Sequence, residues 1–95
     1  MDDTILTLNP ARGKQGVRIS RAKYDQVRAA IVAALRKQDT LTFKELAAAV
    51  NTALAGRFEG SITWYLTCVK LDMQARKELT VSGDSPQQIR LKAAR

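Results

Sequence analysis

The chain has 95 residues, 45% of them apolar, and its sixteen Lys and Arg outweigh nine Asp and Glu to give a formal net charge of +7. A length of this order makes one domain that buries roughly 60–70% of the surface of its unfolded chain, so neither a metal nor a disulfide is needed to hold it and a second domain does not fit. The basic balance, with a pI near 10.1, draws the protein toward polyanions; the single cysteine, Cys68, excludes an internal disulfide framework, and the absence of a signal-like start leads to the expectation of a cytoplasmic protein. No apolar run approaches the ~20 residues of a membrane span, so no membrane association is expected.

Residues 1–19 read as an N-terminal arm, packed on the domain or partly flexible. Ile5, Leu6 and Leu8 precede a turn-rich basic loop with Pro10, Arg12, Gly13, Lys14 and Gly16, and Val17-Arg18-Ile19 then alternates like a half-buried strand. The segment from Ile5 to Leu8 is either the partner of that strand or a tail lying on the domain.

Ser20 is placed to N-cap a helix over residues 21–37, on which Tyr24, Val27, Ile31, Ala34 and Leu35 share one face and Gln38, Asp39 and Thr40 form the stop. Thr42 and Glu45 match a capping box for a second helix, whose buried stripe is Phe43, Leu46, Ala47, Val50 and Leu54 and whose stop is Gly56. After a short turn, Ser61 N-caps a third helix running to about residue 76. Residues 79–82 and 88–92 alternate as two strands around a turn-rich loop, with Leu79, Val81, Ile89 and Leu91 inward and Arg90 and Lys92 outward. The expected fold is mostly α with a small β-hairpin (α+β), a winged helix-turn-helix of three helices plus a wing, over residues 20–92.

The stretch from Ile62 through Val81, with Met73, Gln74, Ala75 and Arg76 leading to Leu79, resembles the junction of third helix and wing in bacterial winged-helix regulators. That family usually has a glycine at the helix end, because the position takes a left-handed conformation; here Lys77 stands there, which implies a differently shaped end. The whole chain, with Gly13-Lys14-Gln15-Gly16-Val17 ahead of the first helix, also resembles a family of small uncharacterised bacterial proteins. That resemblance implies the architecture rather than an activity.

The third helix has two apolar faces. At ~100° per residue, Ile62, Tyr65, Leu66, Val69 and Met73 point to the core, whereas Trp64, Cys68, Leu71 and Ala75 form a stripe nearly opposite. Either the N-terminal residues fold over this second stripe, or it is an interface for a homodimer or another protein. Stacking of Trp64 on an unpaired base is a further alternative, but the sequence shows one aromatic without companions. Between the stripes lies a polar strip of Thr63, Thr67, Lys70 and Gln74, chemically able to meet bases and phosphates.

Arg90 and Lys92 on the wing, with Lys44, Arg57 and Lys70, can together neutralise several phosphates, and Arg12, Lys14 and Arg18 resemble an arm that enters a minor groove. For each of the first five taken singly an ordinary solvated surface is the better account of the charge, and for the N-terminal cluster a solubilising loop is at least as good an account. The chain has no histidine, which removes His-based triads, and Cys68 has no His partner; Gly13-Lys14 lacks the earlier glycine of a phosphate loop. Asp25, Asp39, Glu45, Glu59, Asp72 and Glu78 are expected at helix surfaces and ends. These features lead to the expectation of a non-enzymatic domain, without cofactor or metal, that binds double-stranded DNA and has a regulatory role. The alternative is a protein-interaction or homodimerisation module without DNA binding.

Overall fold

A computed structural model describes residues 3–9, 16–83 and 87–91. Strands β1 (Thr4–Leu6) and β2 (Arg18–Ser20) lead into α1 (Arg21–Lys37); β3 (Leu41–Thr42), α2 (Phe43–Leu54) and α3 (Ile62–Ala75) follow, and β4 (Leu79–Ser82) and β5 (Gln88–Leu91) close the chain. The protein is therefore mixed α and β, with three helices and two small antiparallel sheets ordered β1-β2 and β3-β5-β4 among the described residues.

Each helix starts where its cap lies. The hydroxyl of Ser20 accepts the Lys23 amide at 3.3 Å, and that of Ser61 accepts the Trp64 amide at 3.1 Å. At α2 both halves of the capping box form, Glu45 N–H to Thr42 Oγ1 at 3.1 Å and Thr42 N–H to Glu45 Oε1 at 2.9 Å, so two donors without helical partners are satisfied reciprocally. The core is built from Tyr24, Val27, Ala30, Ile31 and Leu35 of α1, Leu46, Val50 and Leu54 of α2, and Leu66, Val69 and Met73 of α3, with Ile19, Leu41, Leu79 and Ile89 added from the strands. Ala34 and Phe43 lie at its edge, partly buried. In α1 it is Ala30 that occupies the buried position.

Strand β3 was not expected from the sequence. Its two residues directly precede the α2 cap, and Leu41 pairs with Ile89 while Thr42 pairs with Gln88. This short bridge ties the start of α2 to β5. The β4–β5 hairpin has the expected alternation, Leu79 and Ile89 buried and Arg90 exposed.

The end of α3 corrects the expectation drawn from Lys77. Lys77 adopts φ 66°, Glu78 N–H donates to Met73 O at 2.8 Å, and Lys77 N–H donates to Gln74 O at 3.1 Å. That pair of bonds is a Schellman motif. The left-handed end is kept although a β-carbon is present, because the core demands it: Met73 on the last turn and Leu79 two residues beyond the bend are both buried.

β1 and β2 pair through Thr4 with Ser20, Ile5 with Ile19 and Leu6 with Arg18. Beyond the ladder, Thr7 exchanges three hydrogen bonds with Val17: its amide and its hydroxyl both donate to Val17 O at 2.8 Å, and Val17 N–H donates to Thr7 Oγ1 at 3.0 Å. A β-carbon on Gly16 would lie 1.5 Å from Thr7 O, so only glycine permits this approach.

Candidate functional site

The exposed strip of α3 is formed by side chains in different environments. Thr63 and Thr67 are exposed, and the Thr67 hydroxyl donates back to Thr63 O at 3.0 Å, leaving its lone pairs and the Thr63 hydroxyl toward solvent. Gln74 is half-buried. Lys70 is half-buried as well, with its ammonium 5.7 Å from the ring centroid of Phe43, and burial pulls its pKa below the ordinary lysine value. The contact joins the middle of α3 to the first residue of α2, where Lys44 is exposed.

The other basic candidates lie farther apart along the chain. Arg57, in the turn between α2 and α3, is exposed, and its carbonyl accepts from Gln26 Nε2 at 3.5 Å. Arg90 on β5 forms an exposed ion pair with Asp39 at 3.3 Å, and Arg18 on β2 donates to Thr4 Oγ1 at 3.4 Å. Arg12, Lys14 and Lys92 lie outside the described residues.

The second stripe of α3 is only partly covered. Trp64 is 47% exposed, and Cys68, Leu71 and Ala75 are half-buried. Burial raises the Cys68 thiol above its ordinary pKa, which keeps it protonated and a poor nucleophile at neutral pH. Trp64 does have companions, contrary to its reading as a lone aromatic. Its ring meets Tyr65 edge to face at 5.0 Å, and Tyr65 meets Phe58 in the same way at 5.1 Å. The Lys23 ammonium lies 5.2 Å from the Tyr65 centroid and 5.7 Å from that of Phe58. A cation against the π faces of two rings adds electrostatic attraction to their packing and fixes Tyr65 on one side of Trp64.

The N-terminal segment reaches α3 at Asp72. Sequence reasoning placed this carboxylate on the surface, whereas it is fully buried. It accepts the Leu8 amide at 2.8 Å, the Tyr24 hydroxyl, and Arg76 Nε at 2.9 Å. One side chain thus joins the arm, α1 and the last turn of α3, and its buried charge is offset by a guanidinium and two further donors. Burial, and next the hydrogen bond to Asp72, raise the Tyr24 hydroxyl above the ordinary tyrosine pKa; the same carboxylate raises Arg76. On the α3 wheel Asp72 falls at the boundary between core and second stripe, a position that could have signalled burial.

Between α1 and α2 runs a shallow groove of about 530 Å³ lined mainly by Ala30, Ala33, Ala48 and Ala53. Its lining offers little polar chemistry. Among the described residues no group of three His, Cys, Asp or Glu side chains could hold a metal ion, and no helix is long and apolar enough to cross a membrane.

No curated protein and no solved structure matches the chain. A family model described as a family of unknown function matches residues 4–89, a span that includes the β1–β2 pair, the three helices and the first half of β5, and the chain thus belongs to the DUF6958 family.

Proposed function

We propose that the protein is a winged-helix domain that binds double-stranded nucleic acid, DNA above all, in a regulatory role. The order α1-β3-α2-α3-β4-β5 with a sheet ordered β3-β5-β4 supports the winged-helix reading: α2 and α3 form the helix-turn-helix, and β4–β5 is the wing. In that arrangement α3 enters the major groove and the wing lies along the backbone.

The observation that carries the reading is the strip on α3. Thr63 and Thr67 are exposed, Lys70 and Gln74 flank them, and the only acidic residue of the helix, Asp72, is buried on another side. A phosphate approaching this strip therefore meets hydroxyls, an amide and an ammonium, with no carboxylate on the helix to repel it. Lys44 and Arg57 extend the positive surface on either end of α2, Arg90 extends it on the wing, and Arg18 is exposed on β2; Lys92 follows the wing in the sequence, and Arg12 and Lys14 precede β2. Arg90 can release Asp39 at little cost, since an exposed ion pair contributes only about 0–1 kcal/mol.

The test is a fluorescence titration with labelled duplexes at low and at physiological salt. Affinity is expected to fall steeply with salt, and Arg90→Ala combined with Lys92→Ala to weaken binding of all sequences alike while lowering the salt slope by about 1 for each phosphate contact removed. Thr67→Ala and Gln74→Ala are expected to change the ranking of sequences. Absence of binding to any duplex at low salt rejects the reading.

The exposed Trp64 favours a second reading, a protein-interaction or homodimerisation surface on the opposite stripe of α3. An indole anchored on one side and open on the other is characteristic of such surfaces.

A further inference from the structure

Resting on that second reading, we infer that the Trp64 stripe docks an acidic amphipathic segment of another protein rather than a second copy of this chain. The apolar part of the surface comes from two elements. Trp64, Cys68, Leu71 and Ala75 follow one line along α3, and the spacing of that line suits a helix laid against it, whose own apolar residues recur every three or four positions. Leu8 is held beside the line because its amide is bonded to Asp72, the neighbour of Leu71 and one helical turn from Cys68. Leu8 is 41% exposed, and Leu6, two residues earlier in the arm, is 49% exposed.

The charged rim decides the occupant. At the Trp64 end stands Lys23, against Tyr65 and Phe58. Arg76 and Lys77 are exposed at the Ala75 end. Arg18, exposed, lies opposite Leu6 in the β1–β2 ladder, and directly opposed residues share a face of the sheet. Asp72, the acidic residue inside this frame, is buried and bonded to its three donors; Glu78, directly after Lys77, is held in an ion pair with Arg28 at 3.0 Å, and Glu59 stands in the turn ahead of α3. A second copy would bring the same cations face to face, and two chains of +7 each repel one another at long range. A segment with carboxylates flanking an apolar row satisfies both the stripe and its rim.

Trp64 also reports on the site, being the single tryptophan of the chain. The experiment titrates the full chain with a labelled amphipathic peptide bearing Leu at helical spacing and Glu on its other faces. In parallel it uses the same peptide with Lys in place of Glu, vesicles of mixed phosphatidylserine and phosphatidylcholine, and a concentration series of the protein alone in the ultracentrifuge. Saturable binding of the Glu peptide with a blue shift of Trp64 emission is expected, at least about tenfold tighter than the Lys peptide and weakened by salt. Leu71→Asp should weaken it about tenfold or more. Leu8→Asp, at an exposed position, should do the same and covers the case in which Leu71→Asp fails to fold, which circular dichroism detects.

Equal binding of both peptides, or self-association that shifts Trp64 and is abolished by Leu8→Asp, leaves the stripe an interaction surface and overturns the acidic partner. Binding to vesicles without binding to the Glu peptide assigns the stripe to lipid and overturns it too. No response of Trp64 to peptide, vesicle or protein concentration overturns both this inference and the interaction reading beneath it.

Discussion

Asp72 is the residue on which three elements depend. Replacing it with Asn keeps its size but sets an amide NH₂ among donors, so Tyr24, Leu8 and Arg76 cannot all be satisfied. A hydrogen bond to a charged group contributes about 1.5–3 kcal/mol, and urea melts of Asp72→Asn should show a loss of roughly 2–3 kcal/mol. Tyr24→Phe, which removes one donor and leaves the ion pair with Arg76, should cost less, about 1–2 kcal/mol. The pH dependence has a definite sign. The folded state holds the Tyr24 proton more tightly than the unfolded chain, so that contribution is complete below the ordinary tyrosine pKa of about 10 and is lost as pH rises above it. Urea midpoints measured from pH 9 to 11 (roughly spanning that value) should fall less steeply in Tyr24→Phe than in the parent. Gly16→Ala tests the other end of the arm: with 1.5 Å between the new β-carbon and Thr7 O, the Thr7–Val17 bonds have to break, and amide exchange of the β1–β2 hairpin should accelerate.

At the scale of elements, caps and stops set the boundaries. Thr42→Ala removes one half of the capping box and should cost about 1 kcal/mol, while Leu46→Ala, fully buried, should cost about 2–5 kcal/mol through the cavity it leaves. Thermal melts rank the two. The end of α3 offers the opposite sign. A β-carbon in the left-handed region costs about 1–2 kcal/mol, partly offset by the extra chain entropy that glycine loses on folding. Lys77→Gly should therefore stabilise the protein by about 1 kcal/mol, raising Tm by roughly 4–8 °C. No change in Tm would mean that Lys77 is held at φ 66° by compensating contacts of its side chain.

For the whole molecule, the described parts of the arm, residues 3–9 and 16–19, pack on the helices. Ile19 is buried in the core, Ile5 packs against it, and Leu8 closes the coordination of a buried carboxylate. Deleting residues 1–9 removes β1 and one donor to Asp72, so the remaining chain should unfold at clearly lower urea, and a truncation as stable as the full chain would show the hairpin to be an appendage. The sequence alone determined what is local. Helix starts at Ser20, Thr42 and Ser61, the inward alternation of β4 and β5 and the two apolar faces of α3 were legible, because caps, turns and periodicity are read within a few residues of themselves. Position 77 was legible as a helix end, but its handedness was not, since the packing of Met73 and Leu79 overrides the local preference of lysine. Tertiary structure alone decided the contacts between residues far apart in the chain. Asp72 meets Tyr24 and Leu8 from 48 and 64 residues away, Lys70 comes over Phe43 and Lys23 over Tyr65, and Leu41 finds Ile89. The partners of a buried charge, the company of an aromatic ring and the pairing of a two-residue strand are set by what the fold brings alongside, and no spacing along one segment encodes them.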